Sequence, residues 1–323
     1  MLKKWLSYGI IISLIGTCWL ACGGTEQPKD NNKNPPPPVS QEKLEKHTFS
    51  LKDTSRKTPA GKEEKELPHR NLRLLVWTGP MKEEQAGTFP LLVLAHGLGG
   101  SPEGLEGVAR FMAQQGMTVA ALAFPLTNNR SKEGPARGLT DLGNQPGDVS
   151  FVVDWLLKQV ADQKSKLFRR FSPELMALLG HSFGGATALG LTRYDCCRDK
   201  RFDIVVLVAP STQINNLAFQ ADTPAESGPP TLLIHGEKDN VLKYSGSEEL
   251  FDLFAKPKYF LGMAKADHVN LIQGSGDSPG EFRDASQKAI LAFIQQYLLK
   301  QKGKMNEALE SLKKKGFSTK LQE

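Results

Sequence analysis

Between Leu175 and Leu191 an apolar stretch passes through Gly180-His181-Ser182-Phe183-Gly184-Gly185 into a run of small residues. A strand enters this segment, a helix leaves it, and one serine stands at the bend. The spacing Gly180-x-Ser182-x-Gly184 permits so tight a bend, because a side chain two residues before or after the serine would collide with neighbouring backbone. A strand that feeds directly into a helix cannot bury both of its faces alone and calls for further strand-helix units around it. The five residues also fit a glycine-rich turn with a capping serine, and the rest of the chain decides between the two.

Further units are present. Thr48 to Leu51 alternates like a strand, and Asn71 to Trp77 reads as a second. Leu91 to Ala95 is purely apolar and ends in His96-Gly97-Leu98-Gly99-Gly100. A helix follows, with Ser101 as cap, Pro102 in its first turn and Leu105, Val108, Phe111 and Met112 on its apolar face. Thr118 to Phe124 is a strand, and Pro125 to Gly147 a long loop. In Asp148 to Val160 the residues Val149, Val152, Val153, Leu156, Leu157 and Val160 share one helical face. Beyond the serine lie a strand over Ile204 to Ala209, a loop over Pro210 to Pro230 and a strand over Thr231 to His235. A helix over Ser247 to Ala255, a last strand over Tyr259 to Met263 and a helix over Phe282 to Leu299 complete the series. Continuously apolar strands alternating with helices predict an α/β fold, with a mainly parallel sheet covered on both faces. The loop over Pro210 to Pro230 is too short for a large lid domain.

Reactive groups in such a sheet belong at the carboxyl ends of the strands. His96, Ser182, Asp239 and His268 all fall there, on one rim. A nucleophilic serine needs a neutral imidazole to take its proton and a carboxylate to orient that imidazole. The strand-turn-helix arrangement supplies them in the chain order serine, acid, histidine. Six histidines are present, and only His268 follows both the last expected strand and a candidate acid. His96 and His235 sit in His-Gly turns, and His181 adjoins the serine. Asp239 is the candidate acid. Glu237 comes too soon after its strand, Asp267 is beside His268, and Asp203 lies at the wrong end of its strand. A negative charge developing on the attacked carbonyl needs two backbone donors. Phe183, directly after the serine, and Leu98, in the glycine-rich loop after the third strand, stand where they are needed.

With these motifs the chain resembles platelet-activating-factor acetylhydrolases of the α/β-hydrolase type. It resembles still more the bacterial proteins labelled predicted dienelactone hydrolases. The resemblance runs from about Phe49 to Tyr297. It includes Asp53-Thr-Ser-Arg56, Val76-Trp77, Phe124-Pro125-Leu126-Thr127-Asn128, the segment Asn144-Gln145-Pro146-x-Asp148-Val149-Ser150-Phe151-Val152, and His235-Gly236-x-x-Asp239. It implies Ser182, Asp239 and His268 as a catalytic triad, Leu98 and Phe183 as oxyanion donors, and hydrolysis of carboxylic esters with no cofactor; no metal site is expected either, since Cys196-Cys197 lack the usual nearby ligands. Two departures stand out. True dienelactone hydrolases carry cysteine in place of Ser182, and the lipoprotein-docking helices of the mammalian acetylhydrolases have no clear counterpart. Two other classes share the fold: a catalytically silent binding domain on the cell surface, and an acyltransferase that passes the acyl group to an acceptor other than water. An open site suits short acyl chains or the ends of large or polymeric esters, with Asn128, Asn129 and Arg130 as candidate polar contacts.

The N-terminus reads as a targeting segment. Lys3-Lys4 precedes an apolar core over Ile10 to Leu20, short for a spanning helix. Leu20-Ala21-Cys22 then gives way to polar sequence. This resembles a bacterial lipoprotein signal over residues 1–22, with cleavage before a lipidated Cys22; Cys18 is a weaker alternative, and ordinary secretion another. Gly23, rather than aspartate, after that cysteine points to the outer membrane of the envelope. Residues 23–46, with Asp30-Asn31-Asn32-Lys33-Asn34 and Pro35 to Pro38, form a solvated tether. The catalytic domain is expected over 47–300 and a basic amphipathic tail over 301–323. The formal net charge of +6 resides in Lys3, Lys4 and the tail, where seven lysines face three glutamates from Lys300 onward. The body between is neutral, so no basic groove is implied and nucleic acid is not an expected partner. The tail carries Met305, Ala308, Leu309 and Leu312 at helical spacing, for packing on the domain or for an acidic membrane surface. For Cys196 and Cys197 a bond to each other closes a strained ring and is not the favoured reading; a free pair or bonds to other partners are the alternatives. Oligomeric state is not legible in the sequence.

Overall fold

The computed structural model describes residues 43–323, apart from 62, 64, 133–138, 213–218, 220–223 and 274–279. Cys22, the signal segment and nearly all of the tether lie outside the described residues. Those described all fall in one compact unit, Pro37–Glu323.

The strands are β1 (Glu45–Asp53), β2 (Arg70–Thr78), β3 (Leu91–Ala95), β4 (Thr118–Ala123), β5 (Met176–His181), β6 (Ile204–Val208), β7 (Thr231–Gly236), β8 (Lys258–Met263) and β9 (Ser318–Gln322). They form one sheet in the order β1-β2-β4-β3-β5-β6-β7-β8-β9. From β4 to β8 all neighbours are parallel; β1, β2 and β9 pair antiparallel at the two edges. The helices are α1 (Glu106–Gln114), α2 (Gln145–Ala161), α3 (Phe183–Arg193), α4 (Tyr244–Leu253), α5 (Glu281–Tyr297) and α6 (Lys304–Lys314).

Alternation along the central strands divides the core. Leu92 and Leu94 of β3 and Val206 and Val208 of β6 face α1, α5 and α6. Leu91, Val93 and Ala95 of β3 and Val205 and Leu207 of β6 face α2, α3 and α4. Each strand side chain is buried on one face or the other, which is why these strands read as unbroken apolar runs.

Several boundaries differ from the sequence reading. Ser101 does cap a helical turn, its Oγ accepting from the Gly104 amide, but the turn is a 3-10 segment, Pro102–Leu105, that precedes α1. The α2 helix starts at Gln145, with Pro146 in its first turn, where proline's missing N–H costs nothing. A further strand, β9, follows the one read as last. It pairs with β8 from Lys258↔Gln322 to Gly262↔Ser318. Before it, α6 buries Met305, Leu309 and Leu312 in the same core cluster as α5. The apolar face of the tail is thereby used in packing, and no such face remains for a membrane.

Cys196 and Cys197 are bonded to each other, the alternative the sequence reading did not favour. They sit in a turn after α3 in which the Cys197 amide donates to the Tyr194 carbonyl at 3.2 Å.

Two of the motifs singled out in the sequence meet in a buried ion cluster. Arg70, fully buried, forms paired hydrogen bonds with Asp148 (2.6 Å twice) and with Asp141 (3.0 and 3.1 Å). Arg56 adds bonds to Asp53 (2.8 Å), Asp148 (2.8 Å) and the Asn144 carbonyl (2.9 Å). The β1–β2 hairpin is thus bound to the start of α2. With so many charge-assisted bonds satisfied, the charges survive removal from water.

Candidate active site

The bend at Ser182 is built as its glycines require. Ser182 has φ 56°, a left-handed conformation that is strained for a residue with a side chain. A Cβ on Gly180 would run into the Gly184 carbonyl, and one on Gly184 into the Ala95 carbonyl. The strain is held by the Ser182 amide donating to Val208 O, and by the Ser182 carbonyl accepting from Gly185 and Ser211, all at 2.9 Å.

Three expected residues meet. His268 Nε2 lies 2.9 Å from Ser182 Oγ, and His268 Nδ1 lies 2.6 Å from Asp239 Oδ2. The other Asp239 oxygen accepts from the Val241 and Leu242 amides, each at 2.8 Å. His235 Nε2 supplies a further contact to Oδ2 at 3.0 Å. Burial works to raise the Asp239 pKa. The bonds from His235, His268 and the two amides outweigh it and hold the carboxyl below the ordinary carboxylate range. The bond from a carboxylate to His268 Nδ1 places that ring's hydrogen on Nδ1, leaving Nε2 to accept from the serine.

The competing residues have other work. Asp267 Oδ1 accepts from the Val269 and Asn270 amides at 2.8 Å and shapes the turn that carries His268. Asp203 Oδ2 accepts from Met176 N at the opposite end of the sheet. His96, as a turn-holding residue, bonds the Gly97 carbonyl through Nδ1 (2.7 Å) and accepts from Phe124 N at Nε2 (3.2 Å). Burial pushes its pKa down to about 4. His181 does not merely turn aside: its Nε2 bonds the His268 carbonyl at 2.8 Å, and burial, aided by His268, lowers its pKa to about 4. Both are therefore neutral imidazoles near pH 7. His235 is fully buried between Asp239 and Ser247 Oγ (2.7 Å). The acid and histidine loops are sewn together, with Lys238 N donating to Ala266 O at 3.0 Å. A Cβ on Gly236 would strike that same carbonyl.

Leu98 and Phe183 flank the serine. Gly97 approaches Ser182 so closely that a Cβ there would lie 2.9 Å from the serine Cβ. Phe183 opens α3, where a helix leaves its first amides without intrahelical partners. Among the described residues, neither the Leu98 nor the Phe183 amide meets a main-chain acceptor. A cavity of about 340 Å³ adjoins this loop, lined by Leu98, Gly99, Leu126, Thr127, Asn129 and others. Of the polar contacts expected on this loop, Asn128 is spent on the turn itself. Its Nδ2 donates to the Phe124 and Pro125 carbonyls and its Oδ1 accepts from Arg130 N. Arg130 is exposed and leans toward Glu103 at 3.8 Å, while the exposed Asn129 lines the cavity.

A five-membered set of residues thus converges on the carboxyl edge of a mainly parallel sheet, and comparison with known proteins agrees with this class. The model of the alpha/beta hydrolase family matches residues 92–269, and the chain belongs to that family. The match runs from β3 to just past His268. The lysophosphatidylserine lipase ABHD12 of Danio rerio is 23% identical over 242 residues, covering 60% of this chain; the chain spans 59% of that relative's length. Among solved structures, a ferulic acid esterase from Streptomyces cinnamoneus shares the fold with a TM-score of 0.60 and 18% identity, over 82% of this chain and 93% of that one.

Proposed function

We propose that the protein is a serine-dependent carboxylic ester hydrolase working through an acyl-enzyme. The observation that carries this reading is the chain of hydrogen bonds from Ser182 Oγ through His268 to Asp239. Ser182 Oγ attacks the ester carbonyl carbon while His268 Nε2 takes its proton. The Leu98 and Phe183 amides stabilise the oxyanion. The carbon–oxygen bond to the alcohol breaks, and His268 returns the proton to the leaving oxygen. Water, deprotonated by His268, then attacks the acyl-enzyme and releases the acid. Asp239 keeps the imidazole in its working tautomer throughout.

Leu98 and Leu126 give the cavity beside the oxyanion loop an apolar wall, and Thr127, Asn129 and Ser131 a polar one; short acyl chains are the acyl class proposed for it. The kinship with a lysophospholipid lipase and the resemblance to platelet-activating-factor acetylhydrolases suggest lipid esters as one substrate class. Lipidation at Cys22 would hold the enzyme in the cell envelope at the outer membrane, and the intact mass of the mature chain tests this directly. A panel of p-nitrophenyl esters of rising acyl length tests the activity. Turnover that declines with chain length supports the proposal, and no hydrolysis of any member overturns it.

A further inference from the structure

Gln145, at the first position of α2, is fully buried, and none of its side-chain contacts belongs to the chain of hydrogen bonds just described. Its Nε2 donates to Thr127 Oγ1 at 2.9 Å, and its Oε1 accepts from Thr187 Oγ1. The two threonines belong to different arms of the site. Thr187 stands one turn along α3 from Phe183, and its hydroxyl also lies 3.3 Å from the Phe183 carbonyl. The Thr127 carbonyl accepts from the Gly99 amide at 2.7 Å, next to Leu98. The Gly100 carbonyl, in the same loop, accepts from Asn129 N at 2.8 Å. One amide side chain therefore links the helix that carries the Phe183 donor to Thr127, whose carbonyl in turn holds the loop that carries the Leu98 donor. Gln145 is itself anchored. The preceding Asn144 bonds Asp141 Oδ1 through Nδ2 (2.9 Å) and Arg56 through its carbonyl (2.9 Å), and Asp148, one turn on, is clamped by Arg70. The buried ion cluster fixes the start of α2, and α2 fixes the bridge.

We propose that Gln145 is a positioning residue that sets the separation of the Leu98 and Phe183 amides. This rests on the serine hydrolase reading above. The chemistry asks for it: two donors act on one oxygen only when both lie within hydrogen-bond reach of it, and a displacement of about 1 Å can cost about a hundredfold in rate. The ground-state ester makes weaker demands on the two amides than the tetrahedral oxyanion does, so a loosened pair weakens transition-state binding and spares substrate binding.

The test uses Gln145→Met, close in length and without hydrogen-bonding atoms, on the full chain with p-nitrophenyl butyrate and with an alkyl boronic acid as the tetrahedral mimic. The proposal expects kcat to fall about tenfold to hundredfold, KM to stay within about twofold, and boronate affinity to fall in step with kcat. The pair Gln145→Met, Thr127→Val is expected to be no slower than Gln145→Met alone, since both cut the same link. A lowered melting temperature with kcat and boronate affinity unchanged overturns the proposal and leaves Gln145 a packing residue. Should Gln145→Met not fold, Thr127→Val alone carries the same prediction and the same refutation. If the parent protein neither hydrolyses the ester nor binds the boronate, the hydrolase reading itself falls, and this inference with it. A parent that is active while both variants match it refutes the positioning role alone.

Discussion

Asp239 accepts four hydrogen bonds, from His235, His268 and the amides of Val241 and Leu242. That convergence keeps it ionised in a buried place and keeps its neighbour's tautomer fixed. Asparagine has nearly the same shape but would offer an N–H where the carboxylate accepts, and so would reverse the His268 ring's proton. For Asp239→Asn we expect a folded protein with turnover reduced by roughly 10³ to 10⁴-fold, read from initial rates on a short ester. The charge also contributes to stability. Its folded pKa lies below that of a free aspartate, so the contribution is present above about pH 4 and is lost as pH falls through the folded value. Urea unfolding should therefore show a gap between parent and Asp239→Asn that holds from pH 7 to about pH 4 and narrows as pH falls below it. A gap that does not narrow below about pH 4 would contradict this.

Among the elements, the central strands and the serine bend were legible because burial on both faces leaves an unmistakable apolar run and because glycine spacing reports a steric limit. The β9 strand was not. Ser318–Gln322 lies at the sheet edge with its side chains mostly exposed, so it carries no hydrophobic signature; it joins the fold through its backbone ladder with β8 and through Lys320, which pairs with Glu248 at 2.8 Å. The α6 pattern was visible, yet the sequence could not say whether Met305, Leu309 and Leu312 meet protein or lipid, because an apolar helical face does not name the surface it meets; here that surface includes the neighbouring α5. His235 and Gln145 stood inside recognised motifs, but their roles depend on Ser247, Thr127 and Thr187, contacts between separate elements that no local pattern encodes. For the packed tail, Leu309→Asp places an unpaired charge where Leu309 is only 2% exposed. A loss of about 3 kcal/mol or more in unfolding free energy is expected. Unchanged stability would mean that α6 is not docked in solution.

At the scale of the whole molecule, the site rim is held by neutral, buried imidazoles, and this gives the fold a dependence on pH. His96 and His181 have folded pKa values pushed down to about 4 by burial. Between that value and the ordinary value near 6.5, the unfolded chain binds protons that the folded one refuses. Stability from this source is therefore full above about pH 6.5 and declines as pH falls, by about 1.4 kcal/mol per pH unit for each histidine. His96→Gln should make the decline between pH 6.5 and 4.5 shallower in denaturant titrations, and an unaltered slope would contradict the assignment. The same rim carries the central claim, that Ser182 is the nucleophile of an ester hydrolase. The most direct measurement is the intact mass of the protein after brief reaction with a p-nitrophenyl ester or a fluorophosphonate, followed by peptide mapping. One adduct per chain on the peptide containing Ser182, absent in Ser182→Ala, is the predicted result. Labelling elsewhere, or turnover in Ser182→Ala equal to the parent's, would contradict it.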